Sequence, residues 1–327
     1  MKVLVTGADG LLGSNIVREL INRNYKVKVF LEQGRITGTL KGLNVEKSFG
    51  DILNKASVRD ASKGCDCIIH AAASTAIWPA RSEITRKINI EGTLNVLEAA
   101  RDNKIKRLVH VGTANSFGSG SKENPGTEKN PFTAWKYKLD YIDSKYKIQQ
   151  ILLRETGKGN PETVIVNPTF MLGPYDSKPS SGQFLLALYR KQVPGYTKGG
   201  RNFLFVKDAA TAVVNALTKG RPGECYILAG TNLTYKEFNK VLEKTFGIKP
   251  PKIRFPKPVI LAYGVISEIS GKVFGFEPKV SRAVARISNG LHFYCAEKAI
   301  RELELPQIPV EEAVKEAMDW FKKNGYV

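Results

Sequence analysis

Long apolar runs and cysteine are both scarce in this chain of 327 residues. No apolar run approaches the ~20 residues of a membrane-spanning helix, because the longest candidate, 258–273, is interrupted by Glu268 and by glycines. Four cysteines are too few for a disulfide framework in a chain of this length. The N-terminus enters a strand-like segment at once, where a signal peptide would carry an apolar stretch. These absences predict a cytoplasmic protein with no integral membrane segment.

Metal-ligating side chains are also sparse, with three histidines in the whole chain. Cys65 and Cys67 stand on either side of Asp66, before a buried-looking strand that contains His70. A zinc site needs about four ligands, and this stretch does not supply them. We interpret both cysteines as structural and predict no metal site.

Acidic residues are outnumbered, since 50 lysines and arginines face 31 aspartates and glutamates and give a formal net charge of +19. A basic chain suits nucleic acid, an anionic membrane or anionic ligands as partners. The lysines are spread along the whole chain, and no nucleic-acid-binding module is recognisable. We predict a solvated basic surface that attracts an anionic cofactor, no nucleic-acid partner, and at most a loose association with membranes.

Strand-like and helix-like segments alternate in the first half of the chain, which predicts a parallel sheet with helices on both faces. The predicted strands are 2–6, 25–31, 45–50, 67–71, 107–112 and 163–167, and the predicted helices are 11–23, 84–102 and 135–155. In such a sheet the ligand lies beyond the carboxyl ends of the strands.

After about Gly173 the segments become shorter and more varied. Predicted there are helices at 184–191, 208–219, 235–246 and 310–323, strands at 203–206 and 225–228, and apolar segments within 261–276. We predict an α/β fold: a Rossmann-type doubly wound parallel sheet with a smaller C-terminal α+β cap that binds substrate. Residues 1–172 would form the dinucleotide-binding domain, to which parts of 203–230 return, and residues 173–327 would mainly form the cap.

The run Thr6-Gly7-Ala8-Asp9-Gly10-Leu11-Leu12-Gly13 directly follows the apolar residues of the first strand. A strand that breaks into such a turn and opens a helix directs backbone N–H groups and the helix dipole at a pyrophosphate. Gly7 allows the tight turn, Gly10 lets the backbone approach the phosphates, and Gly13 lets helix and strand pack closely. This context predicts a dinucleotide-binding site.

Tyr141 and Lys145 lie four residues apart in the predicted helix 135–155 and therefore share one face of it. A nearby ammonium favours the phenolate and lowers the pKa of a tyrosine, which suits that tyrosine to acid–base work. Thr113, just beyond the strand 107–112, places a hydroxyl within reach of the same substrate oxygen. We predict these three side chains as the catalytic residues.

Tyr294 and Lys298 repeat the same spacing. About one such match is expected by chance among 12 tyrosines. Tyr294 lies in the predicted cap and has no hydroxyl-bearing strand end before it. The spacing alone is therefore weak evidence, and its position in the chain favours Tyr141.

These motifs together resemble the extended short-chain dehydrogenase/reductases of the NAD-dependent epimerase/dehydratase superfamily, over most of the chain. The glycine turn is similar to the family's TGxxGxxG, and Thr113, Tyr141 and Lys145 are similar to its active-site Ser/Thr, Tyr and Lys. Gly50-Asp51 is similar to the family's adenine-contacting Asp, and His70-Ala71-Ala72-Ala73 is similar to its HxAA strand end. Asn89 is similar to its helix asparagine. Its nicotinamide loop is matched by Asn167-Pro168-Thr169 together with Gly173-Pro174. The sequence departs in having Thr for the commoner Ser at 113, preceded by Gly112 where Ser is frequent.

By this resemblance, Tyr141 exchanges a proton with the substrate oxygen while the nicotinamide gives or takes a hydride. Lys145 would hold the nicotinamide ribose, and Thr113 would polarise the substrate carbonyl. The residues implied to contact the cofactor are Gly7, Asp9, Gly10, Leu11, Leu12, Gly13, Glu32, Asp51, Ile52, Ala71, Ala72, Ala73, Asn89, Lys145, Pro168 and Thr169. The family also implies a homodimer formed through the helices 84–102 and 135–155.

The end of the second strand bears on the choice between NAD and NADP. An acidic side chain there accepts hydrogen bonds from the adenosine ribose hydroxyls and repels a 2′-phosphate. Many NADP-dependent relatives that resemble dihydroflavonol reductases carry Arg where Glu32 stands. Glu32 therefore favours NAD, while Arg35 leaves NADP open.

Two substrate classes fit the resemblance. In the first, the protein resembles dihydroflavonol reductases and hydroxysteroid dehydrogenases, and it reduces or oxidises a carbonyl/alcohol pair. The apolar segments within 261–276 suit an apolar or aromatic substrate of that kind. The candidate substrate contacts are Trp78, Asn115 and Tyr175. A non-catalytic dinucleotide sensor is disfavoured, because it would lack the pair Tyr141 and Lys145.

The alternative is a nucleotide-sugar epimerase or dehydratase, which keeps NAD bound. Residues 201–208 resemble the R-D-F-x-x-V-x-D segment of those enzymes, in which the Arg, here Arg201, holds the substrate diphosphate. Glu32 and the positive net charge favour this alternative. Tyr175, where many sugar enzymes have Arg, and Asn202, in place of their Asp, count against it. The region is also similar to hopanoid-associated sugar epimerases, so both classes stay open.

Overall fold

A seven-stranded parallel sheet forms the centre of the protein, whose computed structural model describes residues 1–34, 38–157 and 161–327. Its strands are β1 (Lys2–Thr6), β2 (Lys26–Leu31), β3 (Glu46–Phe49), β4 (Cys67–His70), β5 (Arg107–Val111), β6 (Glu162–Pro168) and β10 (Cys225–Leu228). Their spatial order is β10-β6-β5-β4-β1-β2-β3, and all neighbours are parallel. The strand order reverses between β1 and β4, which is the switch point where doubly wound sheets bind ligands.

Helices cover both faces of this sheet. On one face, α1 (Leu11–Asn22) packs against α6 (Val206–Asn215), which in turn packs against α10 (Glu297–Leu303). On the other face three helices pack side by side, namely α2 (Lys55–Ser62), α3 (Glu83–Asp102) and α4 (Asp140–Glu155). The crossovers from β1 to β2 and from β4 to β5 run in opposite directions, so their right-handedness places the helices on opposite faces. The predicted Rossmann-type doubly wound sheet is confirmed.

The first strand–helix–strand unit illustrates how the sequence specifies this packing. Val3 and Val5 of β1 have no exposed surface, because a central parallel strand is covered on both faces. Ile16 and Leu20 recur at helical spacing in α1 and are also fully buried. Burial of each such side chain contributes ~1.5–3 kcal/mol, which holds α1 on the sheet and fixes the turn that precedes it.

A second, four-stranded sheet is built from the latter half of the chain in the order β11-β9-β13, with β7 pairing β9, and β8 and β12 form a separate pair. These strands are β7 (Phe170–Leu172), β8 (Gly195–Tyr196), β9 (Gly200–Phe205), β11 (Thr231–Thr234), β12 (Ile253–Arg254) and β13 (Leu291–His292). The accompanying helices are α5 (Gly182–Tyr189), α7 (Tyr235–Phe246), α8 (Lys257–Phe274), α9 (Arg282–Ser288) and α11 (Val310–Lys323). Stacked rings of Phe203 and Phe238, with centroids 4.1 Å apart, lie in the core between β9 and α7.

The predicted helix 135–155 is wrong at its N-terminal end. A single 3-10 turn covers Ala134–Tyr137, Lys138 has a left-handed φ of +53°, and α4 begins only at Asp140. The backbone N–H of Asp140 donates to the Ala80 carbonyl oxygen at 2.9 Å. This contact with the segment before α3 sets where α4 starts, and the helical pattern of the sequence does not reveal it.

The apolar residues within 261–276, expected to suit an apolar substrate, lie largely on the surface. Most of them belong to α8, and Ile266, Val273 and Phe274 are 63%, 69% and 76% exposed. Within the three described ranges, no helix combines the length and the apolar composition that crossing a bilayer requires.

Candidate active site

The glycine turn joins β1 to α1 at the switch point of the sheet. A Cβ on Gly13 would lie 2.0 Å from the Gly7 carbonyl oxygen, and a Cβ on Gly7 would lie 2.6 Å from the Ala72 nitrogen. Gly7 also has a φ of +66°, in the region that side chains disfavour. Both glycines are therefore required for the turn to fit against α1 and against the loop after β4.

Gly10 differs, because a Cβ there would meet only the Gly7 carbonyl oxygen, at 3.5 Å. Gly10 is the N-cap of α1 and has no side chain that could accept hydrogen bonds from the first backbone N–H groups of the helix. The helix begins with Leu11 and Leu12. Such groups have no acceptor within a helix. The turn thus combines open space with N–H donors at the positive end of a 12-residue helix. A pyrophosphate fits this cradle, and the residues present fit NAD.

The neighbouring loops are tied to the turn by hydrogen bonds. The Thr6 carbonyl and hydroxyl oxygens accept from the backbone N–H groups of Ala71 and Ala72, both at 3.2 Å. Ala71, Ala72 and Ala73 are partly exposed beside the turn, and the Asp9 carbonyl oxygen accepts from the Thr39 hydroxyl. The predicted cofactor contacts of the first and fourth strands therefore lie together at one edge of the sheet.

The residues expected around the adenosine follow β2 and β3, which are neighbours in the sheet. Glu32 directly follows β2 and is exposed. The Asp51 carboxylate accepts a hydrogen bond from the backbone N–H two residues further on, at 2.9 Å. Ile52 packs against Gly92 of α3, where an added Cβ would lie 3.1 Å from the Ile52 side chain. Arg35, which leaves NADP open, lies outside the described residues.

Asn89 of α3 is buried and its amide is engaged on both sides. Its Oδ1 accepts from the Ser74 backbone N–H at 2.8 Å, and its Nδ2 donates to the Ser74 carbonyl and the Ser144 hydroxyl. It thereby ties the loop after β4 to α4, one residue before Lys145. These contacts make Asn89 a positioning residue, and its direct contact with the cofactor stays a prediction.

Thr113 stands just beyond β5, and its buried hydroxyl lies beside the phenol of Tyr141, in the first turn of α4. Asn115 donates to Thr113 Oγ1 from both its backbone N–H and its side-chain amide, each at 3.3 Å. Both bonds leave the Thr113 proton free to be donated elsewhere. Asn115, predicted as a substrate contact, therefore orients the Thr113 hydroxyl.

Burial raises the pKa of Tyr141, and the neighbouring Thr113 hydroxyl opposes this only in part. Lys145, one turn along α4, is buried and donates from Nζ to the Val111 carbonyl oxygen at 2.7 Å. Burial also lowers the pKa of Lys145 to about 7. The predicted lowering of the Tyr141 pKa by Lys145 is therefore wrong for this arrangement, because desolvation dominates both groups.

Asn167 of β6 supports the end of β5. Its Nδ2 donates to the Thr113 carbonyl oxygen at 3.1 Å and to Gln149 Oε1 at 2.7 Å. A Cβ on Gly112 would lie 2.5 Å from this nitrogen, so the glycine that departs from the family pattern makes room for the amide. Gln149 was missed from the sequence, although it lies one helical turn beyond Lys145 on the same face.

Two histidines lie side by side in the central strands, with ring centroids 5.4 Å apart. The His70 ring is hydrogen-bonded to the Thr6 hydroxyl at 2.7 Å and to the Thr93 hydroxyl at 2.9 Å. Neither ring nitrogen of His110 has a partner among the described residues. Burial lowers the pKa of His70 to about 3 and that of His110 well below its usual value, so both rings are neutral beside Lys145.

Arg201 of β9 is held by two aromatic side chains. Its Nε donates to the Tyr235 hydroxyl at 2.8 Å, and its guanidinium lies 4.7 Å from the centre of the Phe170 ring. The neighbouring Asn202 is buried and accepts from the Thr169 hydroxyl at 2.7 Å. Thr169 follows Pro168, the buried last residue of β6, so the end of that strand is connected directly to the second sheet.

Tyr175 and Trp78, the remaining predicted substrate contacts, differ in their surroundings. The Tyr175 ring lies under the Arg18 guanidinium, 3.5 Å from its centroid, and beside the Trp320 ring. It therefore packs between α1 and α11, with a strained φ of +74°. Trp78 follows β4 and is partly exposed. Substrate contact by either residue stays a prediction.

The second Tyr-x-x-x-Lys match has a structural role. Lys298 Nζ donates to the Glu224 carboxylate at 2.6 Å and to the Cys225 carbonyl oxygen at 2.7 Å. Tyr294 is buried, which raises its pKa strongly. Position in the sheet therefore separates the two matches, as their sequence context suggested.

Tyr137 is a residue beside the site that sequence reasoning did not single out. Its ring lies 5.9 Å from that of His292. It also packs in a small apolar cluster with Tyr141 and with Ala283 and Ile287 of α9. The only signal in the sequence was its spacing of four residues before Tyr141.

Comparison with known proteins agrees with this geometry. A protein of Synechocystis sp. named after dihydroflavonol 4-reductase is 30% identical over 99% of this chain and 95% of its own. "Sterol demethylase protein B" of Methylococcus capsulatus is 28% identical over 100% of both chains. The crystal structure of gox2253 has 31% identity and a TM-score of 0.86, covering 99% of this chain and 98% of its own.

The family described as "NAD dependent epimerase/dehydratase family" matches residues 3–229. This stretch runs from β1 through β10 and includes the glycine turn, Thr113, Tyr141 and Lys145. The resemblance deduced from the motifs is confirmed, as are an enzymatic role and NAD as cofactor. The chain belongs to the NAD-dependent epimerase/dehydratase family.

Proposed function

We propose that the protein is an NAD-dependent reductase or dehydrogenase that acts on a carbonyl/alcohol pair. The observation that carries this proposal is the placement of Tyr141 and Lys145 on α4 beside the Thr113 hydroxyl, at the carboxyl edge of the sheet. The glycine turn that fits a pyrophosphate opens at the same edge. Two hydroxyls beside a nicotinamide site suit a substrate oxygen that gains or loses a proton.

NAD, when bound, supplies the hydride chemistry. Tyr141 moves the proton: since burial raises its pKa, the phenol stays protonated near neutral pH and suits donation to a carbonyl oxygen that is being reduced. Thr113, oriented by Asn115, donates a second hydrogen bond to that oxygen. Lys145 is placed one turn away to hold the ribose, and Asn167 and Asn89 keep β5, the loop after β4 and α4 in register.

An apolar or aromatic substrate suits this site best. Tyr137, Ala283 and Ile287 belong to the same apolar cluster as Tyr141. Two similar proteins have names that refer to dihydroflavonol and to sterol chemistry, which concern such compounds. Arg201 is already engaged with Tyr235 and Phe170, so it is less available to a diphosphate.

The second candidate is a nucleotide-sugar epimerase or dehydratase. One observation favours it: the Arg201 guanidinium is only partly buried and keeps further N–H donors beyond the one bonded to Tyr235. Those donors suit a phosphate in the manner of the sugar enzymes. The family to which the chain belongs includes such enzymes by name.

Replacement of Tyr141 by Phe tests the mechanism. We expect turnover of apolar ketones and aldehydes to fall by ~10²–10⁴-fold, because proton transfer is lost. NADH binding, followed by its fluorescence, should be nearly unchanged. Tyr294→Phe is the matched control, since it belongs to the structural Tyr-x-x-x-Lys pair and should keep full activity. Persistent turnover in Tyr141→Phe would refute the assigned role.

The fate of the cofactor separates the two candidate functions. A reductase exchanges its cofactor and consumes NADH against a carbonyl panel. An epimerase purifies with NAD tightly bound and interconverts sugar nucleotides without net redox change. Net NADH consumption that Arg201→Ala leaves unchanged, together with no activity on UDP-sugars, would favour the reductase. Activity on UDP-sugars that Arg201→Ala abolishes, together with no net NADH consumption, would favour the epimerase.

Four further features belong to this proposal. Residues 1–172, with parts of 203–230, hold the dinucleotide, and residues 173–327 mainly hold the substrate. The protein works in the cytoplasm, where cysteines that are free in the described chain remain reduced. Two copies form a homodimer through α3 and α4, as the resemblance to extended short-chain dehydrogenase/reductases implies. The protein binds NAD in preference to NADP because of Glu32.

A further inference from the structure

Helix α8 has its large apolar side chains on the outside. The only buried residues in it are Gly264 and Gly271. Six apolar side chains are between 48% and 76% exposed, namely Val259, Tyr263, Ile266, Ile269, Val273 and Phe274. We call these six the outer face of α8. The first five recur every three or four residues and Phe274 directly follows Val273, which places all six on one side of the helix.

The inner side of α8 packs through backbone. A Cβ on Gly264 would lie 2.7 Å from the Ala285 Cβ of α9, and one on Gly271 would lie 2.7 Å from the Phe276 carbonyl oxygen. This close approach leaves no room to turn the apolar side chains inward. The outer face is therefore a fixed surface of the fold, and a contiguous apolar surface of this kind is unusual unless it binds something.

The surroundings of the outer face are strongly basic. Between residues 249 and 286 the sequence holds eight basic and two acidic residues. The basic ones are Lys249, Lys252, Arg254, Lys257, Lys272, Lys279, Arg282 and Arg286, and all are exposed. Of the two acids, Glu268 is already engaged by Lys272 at 3.2 Å and by the Arg282 backbone N–H at 3.0 Å. The segment therefore has a large excess of positive charge.

A shallow cleft lies between α8 and α9. Its volume is about 360 Å³, and it is lined by Leu261 and Val265 together with Arg282 and Arg286. Two arginines beside two apolar side chains suit a group that is anionic at one end and apolar at the other. A lipid has that combination of a phosphate and acyl chains.

We propose that α8 docks the protein on the surface of an anionic lipid bilayer. The outer face enters the boundary between headgroups and acyl chains, and the surrounding lysines and arginines contact the lipid phosphates. A helix with an apolar face, basic flanks and no spanning length has the features of an interfacial helix. A second copy of the chain fits less well, because a two-fold contact would bring two strongly positive surfaces together.

The docking surface adjoins the catalytic helix. Helix α9 packs against α8 on one side and against the turn Ala134–Tyr137 on the other. Its Ala283 and Ile287 share the apolar cluster of Tyr141. If the proposed apolar substrate is correct, docking would bring the site, which α9 connects to α8, close to a compound dissolved in the bilayer. Docking itself does not depend on that substrate.

Vesicle flotation of the full chain tests the proposal. We expect binding to phosphatidylcholine vesicles that contain phosphatidylglycerol to be at least about tenfold stronger than to pure phosphatidylcholine, and to weaken as salt is added. The variant Ile266→Ser/Ile269→Ser/Val273→Ser should lose binding by a similar factor. The matched control Ile300→Ser/Ile308→Ser removes exposed apolar side chains from elsewhere and should bind as the original chain does.

Folding and self-association are checked on the same variants. All of them should keep their thermal midpoint, NADH binding and any turnover of a water-soluble carbonyl compound, since no catalytic residue is changed. Failure of the original chain to bind anionic vesicles, or equal binding by the α8 variant, overturns the proposal. A concentration-dependent dimer that the α8 variant abolishes, without vesicle binding, would assign the outer face to a second copy and also overturn it.

Discussion

His110 is fully buried in β5, and neither of its ring nitrogens finds a partner in the described chain. An unsatisfied buried polar group costs about 1–3 kcal/mol. His110→Leu, which is of similar size and apolar, should therefore raise the free energy of unfolding by an amount in that range. Chemical denaturation at neutral pH measures it.

The stability gain of His110→Leu should depend on pH. The pKa of His110 is well below its usual value in the folded chain, so below about pH 6.5 the unfolded chain binds a proton that the folded chain does not. Proton uptake by the unfolded chain therefore destabilises the original chain further as pH falls below that value, and the variant should gain more stability at pH 5 than at pH 8. His292→Leu is the control: His292 Nε2 is bonded to the Ile287 carbonyl oxygen, and its loss should destabilise. A pH-independent gain would contradict the assignment.

At the scale of residues, motifs predicted which side chains gather at the site, and environment decided what they do there. Gly7, Gly13, Tyr141 and Lys145 were found because their chemistry requires a fixed spacing. The direction of the Tyr141 pKa shift was missed, because it follows from burial and from the Val111 carbonyl that engages Lys145. Neither is encoded in the local sequence around Tyr141.

Helices α3 and α4 are joined at their N-terminal ends by one carboxylate. Asp140 is buried and accepts from Arg81 at 2.7 Å, from Arg86 at 2.8 Å and from the Ser82 backbone N–H at 2.6 Å. Asp140→Ala should lower the free energy of unfolding by about 1–3 kcal/mol. The loss stays below that of a fully buried ion pair, because Arg81 and Arg86 are about half exposed and can be rehydrated.

The same substitution should lower kcat, because Asp140 precedes Tyr141 and fixes the first turn of α4. Urea unfolding and steady-state turnover measure the two effects. Asp60→Ala is the control, since it removes an exposed ion pair between Asp60 of α2 and Lys63. It should change the free energy of unfolding by less than about 0.5 kcal/mol. Equal effects of the two substitutions would contradict a special role for Asp140.

At the scale of elements, helices and strands with a strong apolar period were predicted well. The strands at β1 and β10 and the helices α7 and α11 have their predicted bounds. The helices α2, α9 and α10 were not predicted, since each is seven or eight residues long and has too few apolar positions to show a period. For α8 the apolar residues were identified, but their exposure depends on the glycine contacts with α9.

The molecule as a whole carries a formal charge of +19, which should steer anionic ligands toward it. We expect the association rate constant of NADH to fall severalfold as salt is raised, with little change in the dissociation rate constant, because screening acts mainly on the encounter. Stopped-flow fluorescence separates the two rates. The KM of an uncharged carbonyl substrate serves as the control and should hardly vary. A salt effect confined to dissociation would argue against steering.

At this largest scale the sheet, the switch point and the family were all predictable from the sequence. The glycine turn, the alternation of strands and helices, and the position of Tyr141 point to one answer, and a single parallel topology satisfies them. The arrangement of the second sheet was not predictable. It depends on pairing between strands of two to six residues that are distant in sequence, such as β9 with β13, and no local signal specifies such pairs.

The close fit of Gly112 against the Asn167 amide constrains how this sequence can evolve. A side chain at 112 would displace the amide that bonds the Thr113 carbonyl and Gln149. We therefore expect Gly112→Ser to be better tolerated in a chain that also carries a smaller residue at 167. The two positions would then form an epistatic pair, in which the order of the two substitutions decides how active the intermediate is.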